Sequence, residues 1–61
     1  MNTNRMVAHA IEPGIKRDIR QCLHYRRLIR HGSEPRYRNK ARILSLLGEL
    51  RWCRKQIGER E

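Results

Sequence analysis

Seven basic side chains gather in one stretch of this sequence around a single acidic residue, Glu34. They are Arg26, Arg27, Arg30, Arg36, Arg38, Lys40 and Arg42, and we call them the tip cluster. Seven positive charges and one negative charge give the stretch a net charge of +6. Like charges so close together repel one another unless an anionic group binds them. Because a guanidinium can hold phosphate or carboxylate through two hydrogen bonds, the cluster predicts a site for an anionic partner.

The charge of the whole chain indicates the same class of partner. Lys and Arg number 15 against six Asp and Glu, so the formal net charge is +9. An acidic region of a protein is our first hypothesis for the partner, and sequence-nonspecific binding of DNA or RNA phosphates is the alternative. Two further readings stay open: a solvated basic surface that keeps a small oligomer soluble, and a structural subunit of a larger particle.

Sequence-specific recognition of nucleic acid has little support. A base-reading protein usually presents a recognition helix within a three-helix unit, and only two convincing helices are evident. No zinc-finger spacing is present, Phe is absent, and Tyr25, Tyr37 and Trp52 are the aromatic residues. RNA-binding modules that stack bases on paired aromatic residues are therefore not indicated.

Candidate catalytic and metal-binding residues are scattered. Hydrolytic catalysis requires a nucleophile, a base and an orienting acid in a concave site, but Ser45 and Asp18 have no partners at suitable spacing. Cys22 and His24 project from different sides of a helix, and Cys53 has no second ligand nearby. We expect a non-enzymatic protein without metal, cofactor or small-molecule substrate, and two thiols that pack as small hydrophobic groups.

The first predicted helix runs from Pro13 to His31. Its apolar residues fall within an arc of about 160°, as in an amphipathic helix; they are Ile15, Ile19, Cys22, Leu23, Tyr25 and Ile29. Proline is unfavourable inside a helix and tolerated in its first turn, so Pro13 marks the start, and residues 1–12 form a leader or a short helix. Gly32 suits the left-handed residue that follows a helix.

The second predicted helix runs from Glu34 to Gly58. Ser33 can cap it, and Pro35 fits its first turn. A link of two or three residues makes the two helices an antiparallel hairpin, so the predicted fold is all-α with a hairpin domain over residues 13–61. The side chains expected to close it are Ile15, Ile19, Cys22, Ile29, Ile43, Leu46, Leu50 and Ile57. Cys22 would then lie level with about residue 44, too far from Cys53 for a disulfide.

A further set of residues lies together on a different side of the second helix: Tyr37, Ala41, Leu44, Gly48 and Trp52. We call this set the outer face. The first helix can cover only one side of the second, so a second copy of the chain is the simplest cover for the other, as a helical-bundle homodimer. Glycine inside a helix costs about 1 kcal/mol relative to alanine, and Gly48 favours close approach of another backbone. The alternative is that Gly48 is a tolerated imperfection and Trp52 a half-exposed aromatic residue.

The sequence also leads us to expect a location and an origin for the protein. No apolar run approaches the roughly 18 residues of a membrane span, and the first residues lack the apolar core of a secretory signal, so we expect a cytoplasmic protein. In length, arginine-rich basicity and absence of enzyme motifs, the chain resembles the small accessory proteins encoded in early regions of lambdoid bacteriophages. That resemblance implies a compact regulator that binds a host or phage macromolecule in the host cell cytoplasm.

Overall fold

The computed structural model describes residues 3–58, which form two α-helices. Helix α1 spans Thr3–Arg26 and helix α2 spans Glu34–Ile57, with no strand in this part of the chain. They pack side by side as a hairpin that measures 46 × 18 × 15 Å. The predicted all-helical hairpin is confirmed. Because each helix has a single neighbour, much of the surface of both is left in contact with solvent.

The predicted start of the first helix at Pro13 is wrong, since α1 begins at Thr3 and continues through Pro13. A proline inside a helix cannot donate to the carbonyl four residues before it, here that of His9. Both residues are exposed, so water can reach that carbonyl. On either side of Pro13, Ala8 and Ile15 are buried against the core. Packing at these two positions holds the helix together across the proline.

The connection between the helices is longer than the two or three residues predicted. Helix α1 ends at Arg26 instead of His31, and residues 27–33 form the link. Three successive backbone bonds between residues three apart tighten this end, beginning with Arg27 N–H to His24 O at 3.2 Å. Gly32 has a φ of 80°, the left-handed conformation predicted for it, although it lies within the link and not directly after the helix.

Both ends of α2 lie within one residue of their predicted positions. Ser33 holds the extended conformation of a capping residue and Pro35 lies in the first turn. The Ser33 hydroxyl, however, does not cap α2; it donates to Arg30 O at 2.6 Å. At the other end, Gly58 has a φ of 92°, and its N–H donates to Arg54 O at 3.0 Å. This left-handed glycine satisfies one of the last carbonyls and terminates the helix.

The core is a single layer between the two helices. The buried apolar side chains are Ala8, Ile15, Ile43, Leu46, Leu50 and Cys53, and Ile19, Cys22 and Ile57 pack partly buried against them. Every residue predicted to close the hairpin is buried or half-buried, with Ile29 among the half-buried ones. Ala8 joins the core because α1 extends past Pro13, which the sequence reading did not anticipate.

Cys53 lies in the least accessible part of this core, with none of its surface exposed. Burial raises the pKa of its thiol, and the carboxylates of Glu12 and Glu49 raise it further. Glu12 Oε1 lies 3.4 Å from Lys16 Nζ, whereas Glu12 Oε2 is buried without a hydrogen-bond partner among the described residues. Both cysteines are free thiols.

Neither helix, over the described residues, carries a long enough apolar segment to cross a membrane.

Candidate partner-binding site

Arg36 of the tip cluster is bound within the fold. Its Nη1 donates to Arg26 O at 2.8 Å and to Ile29 O at 3.2 Å, and its side chain is half-buried. The last carbonyls of a helix have no i+4 partner within the helix, so a guanidinium from α2 supplements the long 3.4 Å bond from Ile29 N–H to Arg26 O and supplies a donor to Ile29 O. Charged donors make hydrogen bonds about twice as strong as neutral ones. Arg36 therefore fixes the shape of the tip before any partner arrives.

Asn39 makes the second polar link between the helices. Its Nδ2 donates to Cys22 O at 3.1 Å, so Asn39 lies beside Cys22. Cys22 was predicted to lie level with about residue 44, and the difference follows from the longer link. Asn39 is buried, and its Oδ1 has no hydrogen-bond partner within residues 3–58. A buried polar side chain in an otherwise apolar layer fixes which residues face one another.

Arg38 differs from Arg36 in its surroundings. Its Nη2 lies 2.7 Å from Glu34 Oε1, one helical turn away, and both side chains are largely exposed. Exposed ion pairs of this kind contribute little to stability, roughly 0.3–0.5 kcal/mol. Glu34 is the only acidic residue within the stretch that holds the tip cluster, so its charge is already matched by Arg38.

The rest of the tip cluster has no ion pair with any residue of the described part of the chain: Arg26, Arg27, Arg30, Lys40 and Arg42. Arg26 is half-buried and the other four are exposed. Six of the seven residues of the tip cluster lie in the link or within about two helical turns of it, whereas Arg42 lies further along α2 and lines a shallow pocket with Asp18 of α1. The structure divides the cluster into one arginine bound within the fold, one in an exposed pair, and five cations available to an anion.

Apolar side chains lie exposed among these cations, which the sequence reading missed. Leu28 is 73% exposed, Tyr25 55% and Leu23 46%. Leu23 and Tyr25 were expected on the packed side of the first helix. The position of Leu28 in the sequence could have indicated this exposed apolar surface, because Leu28 falls outside the predicted apolar arc and directly follows an arginine.

A cleft of about 230 Å³ opens beside the link. It is lined by Arg26, His31, Gly32, Arg36, Tyr37 and Lys40, and we call it the tip cleft. Three of its six residues are cationic and none is acidic. The αL conformation of Gly32 turns the chain here, and the two carbonyl bonds of Arg36 hold one wall in place.

The outer face of α2 is exposed along its length. Tyr37 is 68% exposed, Leu44 59% and Trp52 39%, and Ala41 and Gly48 are exposed as well. A Cβ atom added at Gly48 would meet nothing within 4 Å. The protomer itself therefore gives no packing reason for glycine at this position. Helix α2 has two apolar faces, as predicted, and α1 covers one of them.

No protein-family model, curated protein or solved structure matches the chain.

Proposed function

We propose that this protein is a non-catalytic interaction module that binds an acidic region of a protein partner through the tip of its hairpin. The observation that carries the proposal is the mixture of surfaces at the tip. Five cations without an ion pair in residues 3–58 lie in the same part of the chain as the exposed side chains of Leu28 and Tyr25. A partner that presents both carboxylates and apolar groups satisfies both kinds of surface.

The apolar residues favour protein over nucleic acid as the partner. Phosphate contacts neutralise Arg and Lys without covering aliphatic side chains, so Leu28 would stay in water on a phosphate backbone. Protein interfaces are enriched in Tyr and Arg at the positions that dominate affinity. Burying a leucine side chain that is exposed in the unbound protein contributes about 1.5–3 kcal/mol to binding. A purely anionic ligand cannot gain this contribution.

Two labelled peptides of equal negative charge test the proposal. One alternates glutamate with leucine and the other alternates glutamate with serine, and binding is followed by fluorescence anisotropy at fixed ionic strength. The leucine peptide should bind more tightly, and Leu28→Ser should remove most of that preference while leaving the serine peptide unaffected. Met6→Ser, which removes an exposed apolar side chain at the other end of α1, away from the tip and from the outer face, is the control. Equal affinity for the two peptides would count against a protein partner.

Nonspecific binding of nucleic acid is the second candidate, and the free cations of the tip support it. Duplex DNA and a structured RNA, titrated over a salt series, separate the two candidates. For phosphate contacts, the logarithm of the binding constant falls linearly with the logarithm of the salt concentration. The slope is set by the number of phosphates neutralised. Nucleic-acid binding that is tighter than binding of the leucine peptide, and indifferent to Leu28→Ser, would favour this second candidate. No binding at low salt would remove it.

We also propose that the chain acts as a homodimer through the outer face. The exposure of Leu44 and Trp52 supports this, and so does Gly48, whose missing side chain has no explanation within the protomer. Small chains that bury a thin core commonly gain stability by association. A second copy packed along α2 would cover these residues and use the flat surface at Gly48.

Light scattering after size exclusion measures the mass of the chain in solution. The dimer proposal expects twice the protomer mass at micromolar concentration. Leu44→Asp should shift the protein to a monomer that loses helical circular dichroism, because a carboxylate on the outer face opposes burial. A stably folded monomer at micromolar concentration would refute the dimer.

The phage resemblance and a cytoplasmic location complete the proposal. A small basic helical hairpin that binds an acidic protein is compatible with a regulator that acts on a host or phage macromolecule. These two parts rest on the overall character of the sequence.

A further inference from the structure

The tip cleft is a strongly cationic concave surface. Arg26, Arg36 and Lys40 contribute three basic side chains to it, and His31 contributes a fourth nitrogen-bearing group. The nearest acid in sequence, Glu34, is held by Arg38 at 2.7 Å and does not line the cleft.

The size of the cleft restricts what it can hold. Pockets that enclose a whole small molecule usually measure roughly 300–1,000 Å³, and the tip cleft measures about 230 Å³. It is therefore suited to one end group that projects from a larger partner. The rest of that partner would lie over the exposed tip, where Leu28 and Tyr25 are available.

The charge of the cleft favours one class of end group. A carboxylate carries one negative charge on two oxygens, whereas a phosphoryl monoester carries about −1.5 to −2 on three oxygens at neutral pH. Several cations around a site of single-group size match the second better than the first. Arginine clusters are the usual means by which proteins hold phosphorylated side chains.

Arg36 forms one wall of the tip cleft, and its guanidinium is held in place before an anion binds. One nitrogen of its guanidinium is used by the carbonyls of Arg26 and Ile29, and the group makes no other hydrogen bond among the described residues. Its remaining donors are thus held in a fixed position beside the cleft, so less side-chain freedom is lost when an anion binds.

We propose that the tip cleft binds the phosphoryl group of a phosphorylated side chain on the protein partner. This inference rests on the proposed function, because it assigns a chemical group to the partner that the tip binds. Tyr37 belongs to both the cleft and the outer face, so the site lies at the edge of the proposed dimer interface.

Three end-capped peptides with the same flanking residues test the inference, with phosphoserine, aspartate or serine at the central position. Binding to the full chain is measured by nuclear magnetic resonance at constant ionic strength. The phosphoserine peptide should bind roughly tenfold more tightly than the aspartate peptide, the factor that one more charge-assisted hydrogen bond supplies. It should also shift the backbone amide signals of Gly32 and Tyr37.

Substitutions in the cleft provide the control. Arg26→Gln and Lys40→Gln should each remove most of the preference for phosphoserine over aspartate. The Arg26 substitution spares the carbonyl that Arg36 binds. Arg20→Gln, the same change on the far surface of α1, should leave the preference intact. Equal losses in all three variants would indicate general charge attraction and overturn the inference.

The remaining outcomes separate this inference from the proposed function. If the aspartate and phosphoserine peptides bind equally at the tip, the cleft is not a phosphoryl site, although the acidic-partner proposal stands. If neither peptide binds, both fall. An oligonucleotide that binds equally with and without a terminal phosphate, and more tightly than any peptide, would assign the tip to nucleic acid and overturn both.

Discussion

The guanidinium of Arg36 lies 2.8 Å from the carbonyl oxygen of Arg26, across ten residues of chain and between the two helices. This hydrogen bond joins the end of α1 to the first turn of α2. It shows that the arginines of the tip are not equivalent, since one of them holds the structure on which the others are displayed.

Replacement of Arg36 should therefore destabilise the hairpin. Arg36→Ala removes two hydrogen bonds from a charged donor and leaves the Ile29 carbonyl unpaired, at a cost on the order of 2 kcal/mol. Arg38→Ala removes the exposed pair with Glu34 and should change stability by no more than about 0.5 kcal/mol. Urea unfolding followed by circular dichroism compares the two variants. Equal effects would mean that the Arg36 contacts do not support the fold.

Replacement of Gly48 should affect the stability of the protomer and the association of two protomers in opposite directions. Gly48→Ala should raise helix stability by about 1 kcal/mol, because alanine is the better helix former and nothing in the protomer would meet the methyl group. In a dimer packed at this position, the methyl group should weaken association. Gly14→Ala is the matched control, since it lies in α1 with equally open surroundings. Sedimentation equilibrium should show weaker association for Gly48→Ala alone, and unchanged association in both variants would contradict packing at Gly48.

The two thiols should differ in reactivity. Cys22 is half-buried, whereas Cys53 is fully buried and burial raises its pKa. The thiolate is the reactive form, so iodoacetamide at neutral pH should modify Cys22 much faster than Cys53 in the native protein. In concentrated guanidinium chloride the two rates should converge. Mass spectrometry of digested samples gives both rates, and faster native modification of Cys53 would contradict its place in the core.

The raised pKa of Cys53 also predicts how stability depends on pH. The folded state holds the thiol proton more tightly than the unfolded state. The contribution of the protonated Cys53 thiol to the free energy of unfolding is therefore fully present below the unfolded pKa, about 8.5. It is lost as the pH rises through the higher folded pKa. The difference in unfolding free energy between the wild-type chain and Cys53→Ala should therefore shrink above about pH 8.5. A constant difference up to pH 10 would mean that this thiol does not titrate differently on folding.

The sequence predicted the helical hairpin, the inner face of α2 and the approximate ends of α2, because these follow from local periodicity and turn chemistry. It did not predict that α1 continues through Pro13, since this depends on Ala8 and Ile15 being buried against the other helix. Local preference disfavours proline at that point, and packing between helices outweighs it.

The sequence predicted which basic residues form the tip cluster but not how their side chains are arranged. The spacing of the basic residues identified the cluster, yet no local rule shows that Arg36 would bind carbonyls of residues seven and ten positions earlier. That contact accompanies the early end of α1 and the longer link. Leu28 is exposed within the link, whereas Tyr25 is exposed within the last turn of α1, although helical periodicity had placed it on the packed side.

Chemical-shift mapping tests whether the tip of the hairpin is the partner-binding surface. The full chain, labelled with ¹⁵N, is titrated with the glutamate–leucine peptide, and the shift of every backbone amide is recorded. We expect the largest shifts between Arg26 and Arg42, with Leu28 among them. Shifts concentrated at Leu44 to Trp52, or no shifts at a peptide concentration that saturates anisotropy, would contradict this expectation.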